Sequence, residues 1–91
     1  MYFVYVLFSQ KDRNFYIGYT SNLKQRLSQH KNREVRSTKF RQPLQLVYVE
    51  GYVDRDDAKG RELFLKGGSG HKYLKKQLKN FLNKKGVYDS F

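Results

Sequence analysis

The chain has 91 residues, 38% of them hydrophobic and 16% aromatic, and no cysteine. That is enough apolar surface for one small packed domain, expected over 1–91, and it excludes composition-driven disorder, disulfides and thiolate metal sites. Nineteen Lys and Arg against eight Asp and Glu leave a net charge of +11, more than solubility requires and suited to polyanions, nucleic acid above all.

Residues 2–8 (YFVYVLF) are an unbroken apolar, β-branched and aromatic run, the pattern of a central strand covered on both faces. The stretch 9–14 (SQKDRN) is polar and turn-forming, and 15–19 (FYIGY) is a second strand at hairpin spacing. A turn centred on Gln10 and Lys11 sets Tyr5 directly opposite Tyr16, with both hydroxyls leaving the same face of the sheet. Gly18, inside a strand, marks a bulge or a close approach by another group.

Thr20, Ser21 and Asn22 are helix-capping residues, so a first helix is predicted from there to about Lys31. Leu23 and Leu27 form its core stripe, while Asn22, Arg26 and His30, spaced i, i+4, i+8, lie along the neighbouring stripe, where a cleft can form. Residues 32–42 (NREVRSTKFRQ) have no period and read as a basic loop ended by Pro43. Its Arg33, Arg36, Lys39 and Arg41, with Asn22 beside them, are candidate nucleic-acid contacts, though a basic loop that is merely solvated has the same composition. A third strand is expected over 46–50 (LVYVE).

Asp54 is the cap of a second helix, with Asp56 and Asp57 near its positive end. Within it Ala58, Glu62 and Leu65 fall at i, i+4, i+7, which puts Glu62 on the apolar stripe. A carboxylate there needs a partner, either a metal ion or Lys66 one turn on. Residues 67–70 (GGSG) are expected to be a flexible turn, lacking the preceding strand and the Lys-Ser/Thr ending of a phosphate loop. A third helix is predicted from about Lys72 to Lys84, its buried stripe Leu74, Leu78, Phe81 and Leu82, with Gly86 as its C-terminal cap. Lys72, Lys75 and Lys76 on its other faces are further candidate nucleic-acid contacts. The order β-β-α-β-α-α is that of an α+β domain with three flanking helices. No apolar run reaches the length of a membrane span and the first residues lack the order of a secretory leader, so a cytoplasmic setting without membrane contact is expected.

On a phosphodiester, these residues supply the parts of a hydrolytic centre. A carboxylate such as Glu62 can hold a divalent cation, an arginine such as Arg26 can neutralise developing phosphate charge, and Tyr5, Tyr16 and His30 can take part in proton transfer. Each has an ordinary alternative, in core packing or a surface ion pair, and only their convergence on one hairpin and helix makes a site.

Val4-Tyr5-Val6, Tyr16-Ile17-Gly18, Asn22-Leu23 with Arg26 and His30, Pro43, Leu46-Val47-Tyr48 and Arg61-Glu62 together resemble the GIY-YIG nuclease domain, most closely its small stand-alone bacterial, excinuclease-subunit-C-like members. The resemblance implies a small three-stranded antiparallel sheet with flanking helices, one divalent metal (Mg²⁺ or Mn²⁺) and cleavage of nucleic-acid phosphodiesters, DNA of the repair or recombination type first. By it Tyr5 and Tyr16 match the motif tyrosines, with Tyr16 helping to activate water. Arg26 matches the phosphate-stabilising arginine, His30 a position held by His or Tyr, and Glu62 the metal-binding glutamate. The first half-motif keeps only its tyrosine, and Tyr19 stands where some members carry lysine. A protein partner for targeting would suit so small a module. The competing reading is a non-catalytic basic DNA- or RNA-binding module, which needs the charge and aromatics but not Glu62.

Overall fold

An unbroken apolar run is buried only when both faces of its strand are covered, and the first strand, β1 (Tyr2–Ser9), meets that condition. The structure, a computed structural model, describes residues 1–87, so the last four of the expected 1–91 domain lie outside the described part. β1 is the middle strand of a three-stranded antiparallel sheet, with β2 (Phe15–Thr20) on one side and β3 (Leu44–Tyr52) on the other. The helices are α1 (Leu23–Lys31), α2 (Arg55–Lys66), α3 (Gly68–Gln77) and α4 (Lys79–Lys84). This is the expected α+β architecture, with four helices among the described residues where three were predicted.

Strand alternation divides the side chains of β1 between two faces. Val4 and Val6, with Ile17 of β2, meet Ala58 and Leu65 of α2 and Leu74 of α3 in the main core. Phe8 extends that core to α4, its ring 5.3 Å from Phe81. Tyr5 and Leu7 point to the opposite face, where α1 and the segment 32–43 lie.

Three expectations need correction. First, the hairpin turn takes four residues, closed by Ser9 N–H to the Asn14 carbonyl at 2.9 Å and Arg13 N–H to the Ser9 carbonyl at 2.7 Å. Tyr5 therefore pairs with Gly18, and Tyr16 with Leu7. A two-residue shift preserves the face, because the side-chain period is two, so the tyrosines remain neighbours on a diagonal. Second, Gly68-Ser69-Gly70 is not a flexible turn but the start of α3. A side chain on Gly70 would overlap the Phe64 carbonyl and the Leu65 backbone, so glycine there lets α3 pack directly on the end of α2. Third, the predicted single helix to Lys84 breaks at Leu78, whose backbone (φ −103°, ψ 24°) separates α3 from α4.

The local signals of the sequence are otherwise met. The Asn22 side chain accepts from the Gln25 N–H as the cap of α1, and Asp54 accepts from the N–H groups of Asp56 and Asp57. Val87 N–H returns to the Leu82 carbonyl at 2.9 Å across Gly86, closing α4. β3 is longer than its apolar stretch predicts, since pairing along all of β1 extends it at both ends.

Candidate active site

The site grows from the close fit between Tyr5 and Gly18. Any side chain on Gly18 would overlap the Tyr5 ring, so glycine in β2 opens the space into which that ring lies. Tyr5 is fully buried, and its hydroxyl meets His30 Nε2 at 2.7 Å. His30 Nδ1 in turn meets Thr38 Oγ1 at 2.7 Å. His30 is the buried residue of α1, rather than Leu23 or Leu27 of the predicted core stripe, which are only half-buried. Its ring stands edge-on to both tyrosines, 5.6 Å from Tyr5 and 5.2 Å from Tyr16.

Burial sets the protonation of this group. The Tyr5 phenol is pushed up to about 12 by burial, against the pull of the Arg26 guanidinium. His30 is pushed down to about 4, first by burial and then by the Arg26 charge. At neutral pH both are uncharged, and the proton order along Tyr5, His30 and Thr38 runs in one of two directions. Either Tyr5 donates to Nε2 and Nδ1 donates to Thr38, or every bond reverses. Neither Tyr5 nor His30 reaches solvent, so the accessible edge of the cluster belongs to Tyr16 and Arg26, both half-buried. Arg26 Nη1 donates to Gln29 Oε1 at 3.1 Å, and its charged form is favoured by Tyr5 and then by Tyr16. A shallow groove lined by Arg26, Glu34, Val35, Arg36 and Ser37 opens beside it.

Glu62 comes from α2. Ala58 and Leu65 on the same stripe are fully buried, and Glu62 between them keeps 22% of its side chain exposed. Its carboxylate lies within electrostatic reach of Tyr5 and is paired with Lys66 Nζ at 3.1 Å. No group of three or more His, Asp or Glu suited to a metal occurs among the described residues.

The predicted basic contacts separate into two sets. Arg33, Arg36 and Lys39 belong to the segment that carries Thr38, on the Tyr5 face. Lys72, Lys75 and Lys76 sit on α3, in the layer on the other face. Arg41 is bound in the fold, its guanidinium forking onto Asp12 at 2.6 and 3.2 Å. Asn22 directs its side-chain oxygen to the helix cap.

Sequence reading missed two partners. Thr38 gives no signal, since only the fold brings it to His30. The other is Glu50, whose carboxylate accepts from Tyr52 at 2.7 Å, from Tyr48 at 2.6 Å and from the Arg61 fork at 2.9 and 3.0 Å. The i±2 spacing of those tyrosines on a strand was the available clue.

A family model described as the GIY-YIG catalytic domain matches residues 1–85. The chain is 39% identical over 82 residues to a UPF0213 protein of Pediococcus acidilactici, covering 87% of this chain and 82% of that one. It is 35% identical over 75 residues to a UPF0213 protein of Staphylococcus saprophyticus, covering 81% and 90%, and 37% identical over 67 residues to one of Clostridium perfringens, covering 72% and 71%. No solved structure gives a significant match. The match runs through both tyrosine strands, α1 and α2, the elements that build the site, and on that ground the chain belongs to the GIY-YIG catalytic-domain family.

Proposed function

We propose that this protein is a divalent-metal-dependent endonuclease that hydrolyses phosphodiester bonds of nucleic acid, DNA foremost, in repair or recombination in the cytoplasm. The observation that carries the reading is the placement of Tyr16 and Arg26 as the accessible edge of an otherwise buried Tyr5–His30–Thr38 chain. Arg26 holds the phosphate and stabilises the charge that develops on its oxygens. Tyr16 orients the attacking water and, as the phenolate, takes its proton as the water oxygen bonds to phosphorus. His30, with both ring nitrogens bonded and no access to solvent, is a positioning residue that holds Tyr5 in place, instead of the water-contacting acid or base its type suggested.

Glu62 fits a metal in one mode. A lone, partly exposed carboxylate matches Mg²⁺ or Mn²⁺ held by one protein oxygen, with water and substrate oxygens completing the shell. Lys66 is 53% exposed on a flexible stem and free to release Glu62 when a cation arrives. Bound there, the metal supplies Lewis-acid stabilisation of the phosphate and the leaving oxygen. The small body leaves little surface for reading bases, which favours a protein partner that chooses the target.

Cleavage of labelled DNA and matched RNA in Mg²⁺, Mn²⁺ and EDTA tests the reading. Cutting is expected in metal and absent in EDTA, and Glu62→Ala should lower it by about a hundredfold or more. The second reading, a non-catalytic basic binding module, is favoured by the Glu62–Lys66 ion pair, which gives the carboxylate a partner without metal. Salt-sensitive binding with no cutting in either metal, unchanged in Glu62→Ala, would establish it and overturn the first.

A further inference from the structure

Phe40 is 71% exposed, near the end of the basic segment 32–42. An apolar ring on a loose loop would carry little meaning, but this backbone is held on both sides of the ring. The Thr38 and Lys39 N–H groups both donate to the Val35 carbonyl, at 3.1 and 3.0 Å, and Arg41 N–H donates to the Thr38 carbonyl at 2.9 Å. The Lys39 carbonyl accepts from Arg33, the Phe40 carbonyl from Lys11 at 2.9 Å and the Arg41 carbonyl from Ser9 Oγ at 2.7 Å. The Arg41 fork on Asp12 ties the same segment to the hairpin turn. The ring is thus presented to water by a braced frame. Lys39 Nζ stands 5.0 Å from its centroid, and Thr38, two residues before it, is the partner of His30.

A hydrophobic protein surface is a poor occupant, since Lys39 stands over the ring and Arg33 reaches the Lys39 carbonyl beside it, cations that would lose water without gaining a counter-charge. A nucleotide satisfies both features at once. Its phosphates meet the cations, and its base offers a flat π face to the ring. A base inside a duplex has that face covered by its neighbours, so only an unpaired or terminal base can present it. The groove from Arg26 to Arg36 and Ser37 gives the strand a path from the phosphate site towards this segment, with Glu34 its one acid among the lining residues.

We propose that Phe40 is a base-stacking site that receives an unpaired nucleobase of the strand whose phosphate lies at Arg26. The inference rests on the nuclease reading for which phosphate is cut, but the stack itself needs no turnover, and the test is therefore run in EDTA.

The chain contains no tryptophan, so Phe40→Trp introduces a single indole at the site. Its emission is expected to be quenched by single-stranded DNA and by a flapped duplex, but not by a relaxed closed-circular duplex, which has no ends, or by an abasic strand of equal length. A matched RNA strand reports whether the sugar matters, and quenching by it supports the same site. In anisotropy titrations, Phe40→Ala should bind single strands roughly tenfold more weakly at one salt concentration, with an unchanged salt slope because no charge is removed. Phe40→Tyr should restore binding. Equal quenching by abasic strand and by natural strand, or unaltered binding in Phe40→Ala, overturns the proposal. If quenching occurs while the wild type cuts nothing in any metal, the stack stands and the nuclease reading falls. If cutting occurs without quenching, the reverse holds.

Discussion

His30 is the buried link of the site. It links the tyrosine strand to Thr38, and it does so as a neutral ring shielded from water. Its value in the fold, about 4, lies below the 6.5 it has when exposed, so between those values the unfolded chain binds the extra proton. Stability is therefore complete above about pH 6.5 and declines as pH falls towards 4. Between pH 7 and 5.5, where carboxylates hardly titrate, His30 should account for a loss of about 1 kcal/mol. Urea midpoints of the wild type and of His30→Gln at both values test this, and an equal decline in the two proteins would remove His30 as its source.

At the scale of elements, the question is what fixes α2, because α2 carries Glu62. Apolar packing of Ala58 and Leu65 sets its distance from the sheet but tolerates sliding and rotation. The Glu50 carboxylate does not, since the two hydrogen bonds it accepts from Arg61, the residue before Glu62, join β3 to α2, while Tyr48 and Tyr52 of its own strand hold it in place. Burial pushes Glu50 up, yet Arg61 and the tyrosine hydroxyls hold it below the usual carboxylate value. Each partner is only about a fifth to a quarter exposed, so removing one leaves a poorly solvated charge. Arg61→Ala should cost about 2 kcal/mol of stability, and Arg61→Lys should recover only part of it because an ammonium cannot make the fork. A double-mutant cycle of Glu50→Ala and Arg61→Ala in denaturant reads the coupling, and additive effects would dismiss the clamp.

For the molecule as a whole, charge is the dominant property. A surplus of +11 on a body with a radius of gyration of 12.9 Å creates a field that draws polyanions from any side, but the fold divides its sources. Arg33, Arg36 and Lys39 accompany the tyrosine site, while Lys72 and Lys76 lie in the layer across the sheet. If about four phosphates are contacted, affinity for DNA should fall on the order of a hundredfold between 50 and 200 mM salt. The Arg33→Ala/Arg36→Ala pair should reduce the salt slope by about two, and the Lys72→Ala/Lys76→Ala pair by less. Equal slopes in the two double variants would mean that the tyrosine face is not the one nucleic acid prefers. Among the described residues no helix is long and apolar enough to cross a membrane.

What depends on near neighbours is legible in the order of residues alone. The covered strand, the shared face of Tyr5 and Tyr16, the caps at Asn22, Asp54 and Gly86, and the place of Glu62 on an apolar stripe follow from period and local hydrogen bonding. The pairing of Tyr5 with Gly18, the burial of His30 and its bond to Thr38, the helical start at Gly68, and the capture of Arg41 by Asp12 and of Glu50 by Arg61 arise only in the packed fold. A strand register two residues off preserves every face, so the alternation pattern cannot detect it. A glycine run is helical only when another helix needs the space that a side chain would fill. A lone His, Thr or Glu has no partner until chain segments far apart in sequence are packed side by side, and that packing separates the buried Tyr5, His30 and Thr38 from the partly exposed Tyr16 and Arg26.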